Sequence, residues 1–393
     1  MTDRHSRQPA WCKTPMRSLS TVRPSAHLHV QLLRLIGRGT VVPTRGSFDR
    51  SDGTEDEEMA SARLLQAPSY VTASGAKQGS FVNLQGLTLA TYEWEHKTQG
   101  EPKGIILAMH GVSCHLHYEY LNIGTFAAED GSKGYEGAEL HEPQYAGSWV
   151  ERLNEEGYLF TGMDLQSYGL SEGARGLQYY FERFEDHVTD LVQFRKMVSE
   201  EYPNTPIYLM GISMGGCIAA RLAEFDCAFP YAGLILLAPM LSIEQLKKRP
   251  INKVLLPLAD CMSALAPTLR LADKAAHPNV LLRKHFEADP LNETTYKIRV
   301  RVGAECLKVV ERARQELTQI KCPLLAVHSR HDTMTDPAGS ELAVDLATSS
   351  SKTLKLLDDP YLWHELGHEP GNAKVLQLVL EWLAMPRVEV TNS

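Results

Sequence analysis

The chain has 393 residues, 43% of them hydrophobic and 22% charged, and a formal net charge of -8. Its length suits one large α/β domain with added segments, or two domains, and its acidic balance argues against a nucleic-acid binder, which would show a basic domain. No apolar stretch reaches the roughly 18 residues of a membrane-spanning helix. The seven cysteines are scattered, odd in number and without metal-ligand spacing, so they suggest a reducing, cytoplasmic compartment and neither a disulfide framework nor a metal site.

Residues 1–76 differ in composition from the rest and are expected to form an extension. Nine basic residues up to Arg50 face only Asp3 and Asp49, and an acidic run from Asp52 to Glu58 follows. An arginine- and serine-rich start of this kind matches an organelle transit peptide. A disordered tail, or a start at Met59, is the alternative reading.

From there the elements come in a regular order. Residues 80–84 and 87–94 alternate apolar and polar around Gln85-Gly86, predicting an antiparallel hairpin. The unbroken apolar run Gly104–Met109 predicts a strand buried on both faces, closed by His110-Gly111-Val112. Residues 113–147, rich in His, Tyr and Gly, read as one long loop, a length uncommon unless functional. Trp149–Asn154 reads as helix, Tyr158–Met163 as strand, 167–173 as loop and Phe181–Glu201 as helix. A strand over Ile207–Met210 runs into Gly211-Ile212-Ser213-Met214-Gly215, with helix character beyond Met214. Ala232–Ala238 is a further buried strand.

Alternation then breaks. Residues 241–317 hold helical pieces separated by Pro250, Pro257, Pro267, Pro278 and Pro290, the pattern of a helical cap inserted between body segments 77–240 and 318–393. Strand, helix, strand and helix resume at Pro323–Val327, Ala338–Ala347, Lys352–Leu357 and Asn372–Leu383. Repeated strand–helix units predict a mostly parallel sheet with helices on both faces.

Gly-x-Ser-x-Gly between a strand and a helix is a nucleophile elbow, a turn too tight for side chains on either flank that lifts the serine above the sheet edge. A serine hydroxyl needs a base, and the base needs an orienting carboxylate. On this fold the acid follows the serine in sequence and the histidine comes last. Asp332, after strand Pro323–Val327, and His364, after strand Lys352–Leu357, satisfy that order. Asp336 and His368 compete for the same roles, although Asp336 precedes Pro337 and suits a helix cap. His328 and His331 read as structural. Oxyanion stabilisation needs two converging backbone N–H groups, here those of Val112 and Met214.

Together, His110-Gly111, Gly211-Ile212-Ser213-Met214-Gly215-Gly216, Leu237-Ala238-Pro239-Met240, Asp289-Pro290-Leu291, Lys352-Thr353-Leu354-Lys355 and Trp363-His364 resemble the monoacylglycerol lipase and lysophospholipase branch of the α/β-hydrolases. The similarity runs from about Ser80 to Leu383, and residues 148–158 with Asp164-Leu165-Gln166 resemble protist members. The resemblance implies an eight-stranded α/β-hydrolase sheet and hydrolysis of a single-chain acyl ester, a monoacylglycerol or lysophospholipid, without a cofactor. It also implies substrate contacts at His110, Gly111 and His115. Val254, Leu255, Leu256, Leu258, Met262, Leu265, Leu269 and Leu271 in the cap suit an acyl site, a membrane surface or simple packing on the body. Where animal relatives carry a glutamate and an arginine that read glycerol, this chain has Cys114 and Tyr118. Ser167-Tyr168-Gly169 replaces a Gly-His-Gly. A peptidase, another carboxylesterase, a transacylase and a non-catalytic ligand-binding protein share the fold and stay open as alternatives.

Overall fold

The computed structural model describes residues 67–386, apart from 129, 243, 245–251 and 274–275. Residues 1–66, and with them the expected targeting segment, lie outside the described residues. The body starts before the expected boundary at 77. Helix α1, Ser69–Ala73, buries Tyr70 and Val71. Five residues are too few for a periodic signal, so composition alone had assigned them to the extension.

Among the described residues twelve strands follow, eight of them in one sheet ordered β1-β2-β6-β3-β7-β8-β11-β12. Strands β1, Lys77–Val82, and β2, Thr88–Trp94, pair antiparallel as the hairpin pattern predicts. Strand β3, Gly104–Met109, is buried at every position. Next come α2, Leu116–Tyr120, and a separate antiparallel ribbon of β4, Asn122–Thr125, and β5, Glu139–Gln144. The expected single loop over 113–147 is therefore corrected. Its pieces are short, and apolar Leu116, Tyr118, Tyr120 and Ile123 are buried at spacings that match neither period over a readable length.

Helix α3, Trp149–Glu155, is capped by the Ser148 hydroxyl, which accepts from the Glu151 N–H. It leads into β6, Tyr158–Met163, and after a loop into α4, Phe184–Glu201, three residues shorter at its start than the apolar spacing predicts. Strand β7, Ile207–Ile212, α5, Met214–Phe225, and β8, Gly233–Leu237, complete the first part of the body. Apart from the two antiparallel pairings of β2, the sheet is parallel.

In the insertion, helices α6, Asn252–Leu265, α7, Val280–Ala288, and α8, Val300–Glu316, are joined by a ribbon of β9, Arg270–Asp273, and β10, Lys297–Arg299. The ribbon was not legible among the prolines. Helix α8 buries Val309, Val310 and Ala313 in the same apolar cluster as α4 and α5, so this end of the insertion is anchored to the body. Strand β11, Leu324–Ser329, helix α9, Ala338–Leu346, strand β12, Lys352–Leu357, and helix α10, Asn372–Leu383, close the chain. The two faces of the sheet bury separate clusters. One contains Phe184, Met214 and Val309; the other contains Tyr70, Trp149 and Trp382.

Sheet order decides where chemistry can occur. From β3 the chain moves to β6 on one side, and from β7 it moves to β8 on the other. Loops leaving β3 and β7 therefore diverge and open a crevice at the strand ends, where ligands bind in such sheets. Met109 pairs with Gly211, so the two loops emerge side by side.

Candidate active site

Ser213 sits at the tip of the β7–α5 turn with φ 55° and ψ -118°, a conformation that a non-glycine residue holds only when its surroundings enforce it. Those surroundings are backbone. A Cβ on Gly211 would strike the Gly215 carbonyl, and one on Gly215 would strike the Met109 and His110 carbonyls. Ser213 is the N-cap of α5, with the helix's positive end behind it. A Cβ at Gly111 would lie 3.4 Å from the Ser213 Cβ, so the His110-Gly111-Val112 loop runs directly over the serine.

Gly111, Val112, Ser213 and His364 line one cleft open to solvent; Cys114, Tyr118, Glu119, Arg283 and His368 also face it. Val112 stands on the cleft wall, and Met214 is the first residue of α5.

His364 and Asp332 meet as their order predicts. The His364 Nδ1 lies 2.7 Å from the Asp332 Oδ2. The other carboxylate oxygen accepts from the Met334 and Thr335 N–H groups at 2.7 and 3.0 Å. Burial alone would raise the Asp332 pKa, but the His364 and His328 imidazoles outweigh it and hold the carboxyl well below the usual range. Burial would likewise lower the His364 pKa, and the Asp332 carboxylate reverses that, raising it above an ordinary imidazole. The pair is thus an imidazole held in place by an ionised carboxylate. Neither competing candidate joins this pair among the described contacts. Asp336 accepts from the Ala338 N–H at the start of α9, and His368 faces the cleft with burial pushing its pKa down to about 4.

Two expected substrate contacts do not reach this cleft. The His110 ring is fully buried, 2.8 Å from the Gly111 carbonyl through Nδ1, and its Nε2 accepts the Leu165 N–H at 2.9 Å. Burial lowers its pKa to about 3, so it fastens two loops as a neutral ring. His115 is also buried, its Nε2 3.2 Å from the Asp289 Oδ1 and 3.2 Å from the Tyr70 hydroxyl. Tyr70 donates to the other Asp289 oxygen at 2.8 Å. The correction has one cause: both imidazoles have polar partners inside the body, which a sequence motif does not reveal. Gly111 remains at the cleft.

Glu119 and Glu369, which no sequence motif marks, and His328, expected to be structural, support the site. Glu119 accepts the Gly111 N–H at 2.7 Å and the Cys114 S–H at 2.9 Å, and burial raises its pKa to about 7. Glu369, wholly buried, accepts the N–H groups of Trp363, His364 and Glu365 at 2.6, 3.0 and 3.1 Å and thereby fixes the loop that carries the base. His328 braces Asp332 from β11 at 3.1 Å and contacts the Ser340 hydroxyl at 2.7 Å. The only sequence signal was a charged or polar residue close to a motif, which surface residues also show.

Among the described residues no cluster of His, Cys, Asp and Glu is arranged to hold a metal, and six cysteines are free thiols. No helix among them is long and apolar enough to cross a membrane.

A family model described as serine aminopeptidase, S33, matches residues 136–371, more than half of the chain. The chain belongs to this family of α/β-hydrolases. Among its relatives is a monoglyceride lipase of Rattus norvegicus, 26% identical over 77% of this chain and 89% of the relative. A monoacylglycerol lipase of Mycolicibacterium smegmatis is 24% identical over 80% of this chain and 99% of the relative. The fold matches a soluble variant of the Saccharomyces cerevisiae monoglyceride lipase with a TM-score of 0.61, at 18% identity, over 81% of this chain and 98% of that one. Membership of the monoacylglycerol lipase branch, the resemblance carried by the sequence motifs, agrees with these relatives.

Proposed function

We propose that this chain, a carboxylic ester hydrolase, cleaves single-chain acyl esters of the monoacylglycerol or lysophospholipid kind through Ser213, His364 and Asp332. The observation that carries this reading is the 2.7 Å contact between His364 and Asp332 on the cleft that also exposes the strained Ser213. The Ser213 oxygen bonds to the ester carbonyl carbon while its proton passes to the His364 Nε2. Charge growing on the carbonyl oxygen is met by the Val112 and Met214 N–H groups. Collapse breaks the ester C–O bond, and the alcohol leaves with the proton from His364. Water then attacks the acyl-enzyme, yields its proton to His364, and releases the fatty acid and free Ser213.

Residues 241–317 serve as the cover of the acyl site in this reading. Leu258, Leu265, Leu269 and Leu271 are 41–82% exposed, too wet to line that site, which favours their contact with a lipid surface. Val254, Leu255 and Leu256 have side chains outside the described set.

The test uses purified protein and a panel of monoacylglycerols, lysophospholipids, short esters and aminoacyl anilides. Ser213→Ala is expected to lose at least ~10³-fold in kcat and all labelling by a fluorophosphonate probe. Hydrolysis by Ser213→Ala at the wild-type rate would remove Ser213 from the mechanism. Turnover of anilides alone would favour the peptidase alternative.

A further inference from the structure

Beside Val112 lies a second, narrow cleft open to solvent, which shares Val112 and Tyr296 with the first. Tyr168, Tyr179 and Tyr296 form its walls, and Arg270, Lys297 and Arg299 bring cations to it. Glu293 is the one carboxylate among its lining residues, and it is already engaged. It takes Arg270 at 2.7 Å and both the N–H and hydroxyl of Thr295 at 3.0 and 2.7 Å. Lys297 stands opposite Asp273 in the β9–β10 register.

Arg299 is different. Its Nη1 donates to the Thr268 carbonyl at 2.9 Å, its Nε is buried without a hydrogen-bond partner, and no carboxylate among the described residues lies within ion-pair distance of it. Burial and the Arg270 charge push its pKa down, and Glu293, already bound to Arg270, only partly opposes them. It also caps the seventeen-residue helix α8, whose positive end adds to the field. The first cleft is better balanced, with Arg283 and Glu365 on the same wall. The unmatched positive charge is therefore in the second cleft, next to the oxyanion loop.

We propose that this second cleft binds the phosphate-bearing end of the alcohol that leaves when the acyl ester is cleaved at Ser213. A guanidinium presents two parallel N–H donors to phosphate oxygens, and a phosphate ester supplies the missing negative charge. The assignment rests on Ser213 being the nucleophile. It gives this chain a charged-head-group site where Cys114 and Tyr118 replace the glycerol-reading residues of its animal relatives.

The test compares kcat/KM for 1-oleoylglycerol 3-phosphate and 1-oleoylglycerol, which differ only in the phosphate. The wild type is expected to prefer the phosphorylated ester at least ~10-fold. Arg299→Met is expected to bring the ratio near one, and Arg299→Lys to keep most of it. Should Arg299→Met not fold, exposed Lys297→Met is expected to lower the ratio part-way. A wild-type ratio at or below one overturns the proposal, as does a preference that neither Arg299→Met nor Lys297→Met alters. Calorimetric titration of the Ser213→Ala protein with inorganic phosphate reads the cleft without turnover. Binding that Arg299→Met removes supports the site. Binding together with a wild-type ratio of one assigns the cleft to free phosphate and refutes the head-group role. If neither ester is cleaved and the fluorophosphonate does not label Ser213, the nucleophile reading fails, while this titration still decides whether the cleft takes phosphate; no binding then refutes the site.

Discussion

Replacing Glu119 by alanine should damage catalysis although Glu119 takes no part in the chemistry. Its carboxylate holds the Gly111 N–H at 2.7 Å, one residue before the amide assigned to the oxyanion. Both Gly111 and Glu119 are buried, so the orphaned N–H finds no water in exchange. A buried donor left without its partner costs about 1–3 kcal/mol, and a bond to a charged acceptor is at the upper end. If about 2 kcal/mol of that falls on the transition state, kcat drops roughly 30-fold. Glu119→Gln keeps an acceptor at the same distance and should lose less than about 5-fold, equal to about 1 kcal/mol. The assay is steady-state hydrolysis of a p-nitrophenyl ester, with thermal melting run alongside to separate a local effect from unfolding. A Glu119→Ala protein that melts as the wild type and keeps its kcat would refute the idea that this carboxylate sets the oxyanion loop.

Three further outcomes follow from the same geometry. His364 must be neutral to act as base, and its pKa is raised in the folded protein, so activity should climb with pH along a limb centred above 6.5, the ordinary value; Asp332→Asn should lower kcat by orders of magnitude and move that limb to lower pH, as a pH–rate profile would show. Gly215→Ala drives a methyl group into the Met109 and His110 carbonyls, and because that obstacle is backbone, soluble expression should fall sharply in a folding assay. Tyr70→Phe removes the hydroxyl that serves buried Asp289 and should cost about 1–3 kcal/mol by denaturant titration; an unchanged midpoint would show that the contact is not maintained in solution.

The long elements were legible because burial, of both faces in strand β3 and of one face in helix α10, writes itself into the apolar pattern. Strand β3 and helix α10 have the bounds that their apolar runs predict. The elbow was legible because only glycine fits beside Ser213. Short elements were not: α1, α2 and the two ribbons carry too few residues for a period to emerge. The supporting polar shell was equally hidden. Glu119 and Glu369 act through backbone N–H groups brought to them by the tertiary fold, and nothing in a linear pattern separates them from solvent-exposed glutamates. The same limit explains His110 and His115. Their motif placed them near the site, but the partners that turned them inward, Leu165 and Asp289, are 55 and 174 residues away.

The contact among Tyr70, His115 and Asp289 has a mechanical consequence. Asp289 ends α7, His115 leads into α2, and Tyr70 belongs to the first described helix. Three distant stretches are thus riveted at one desolvated carboxylate. Prying Asp289 loose would strand a buried acid, which is far costlier than bending the exposed leucine-bearing segment around residues 258–271. The insertion is therefore tied to the body at Asp289 as well as along α8, and the exposed leucines belong to the stretch before both ties.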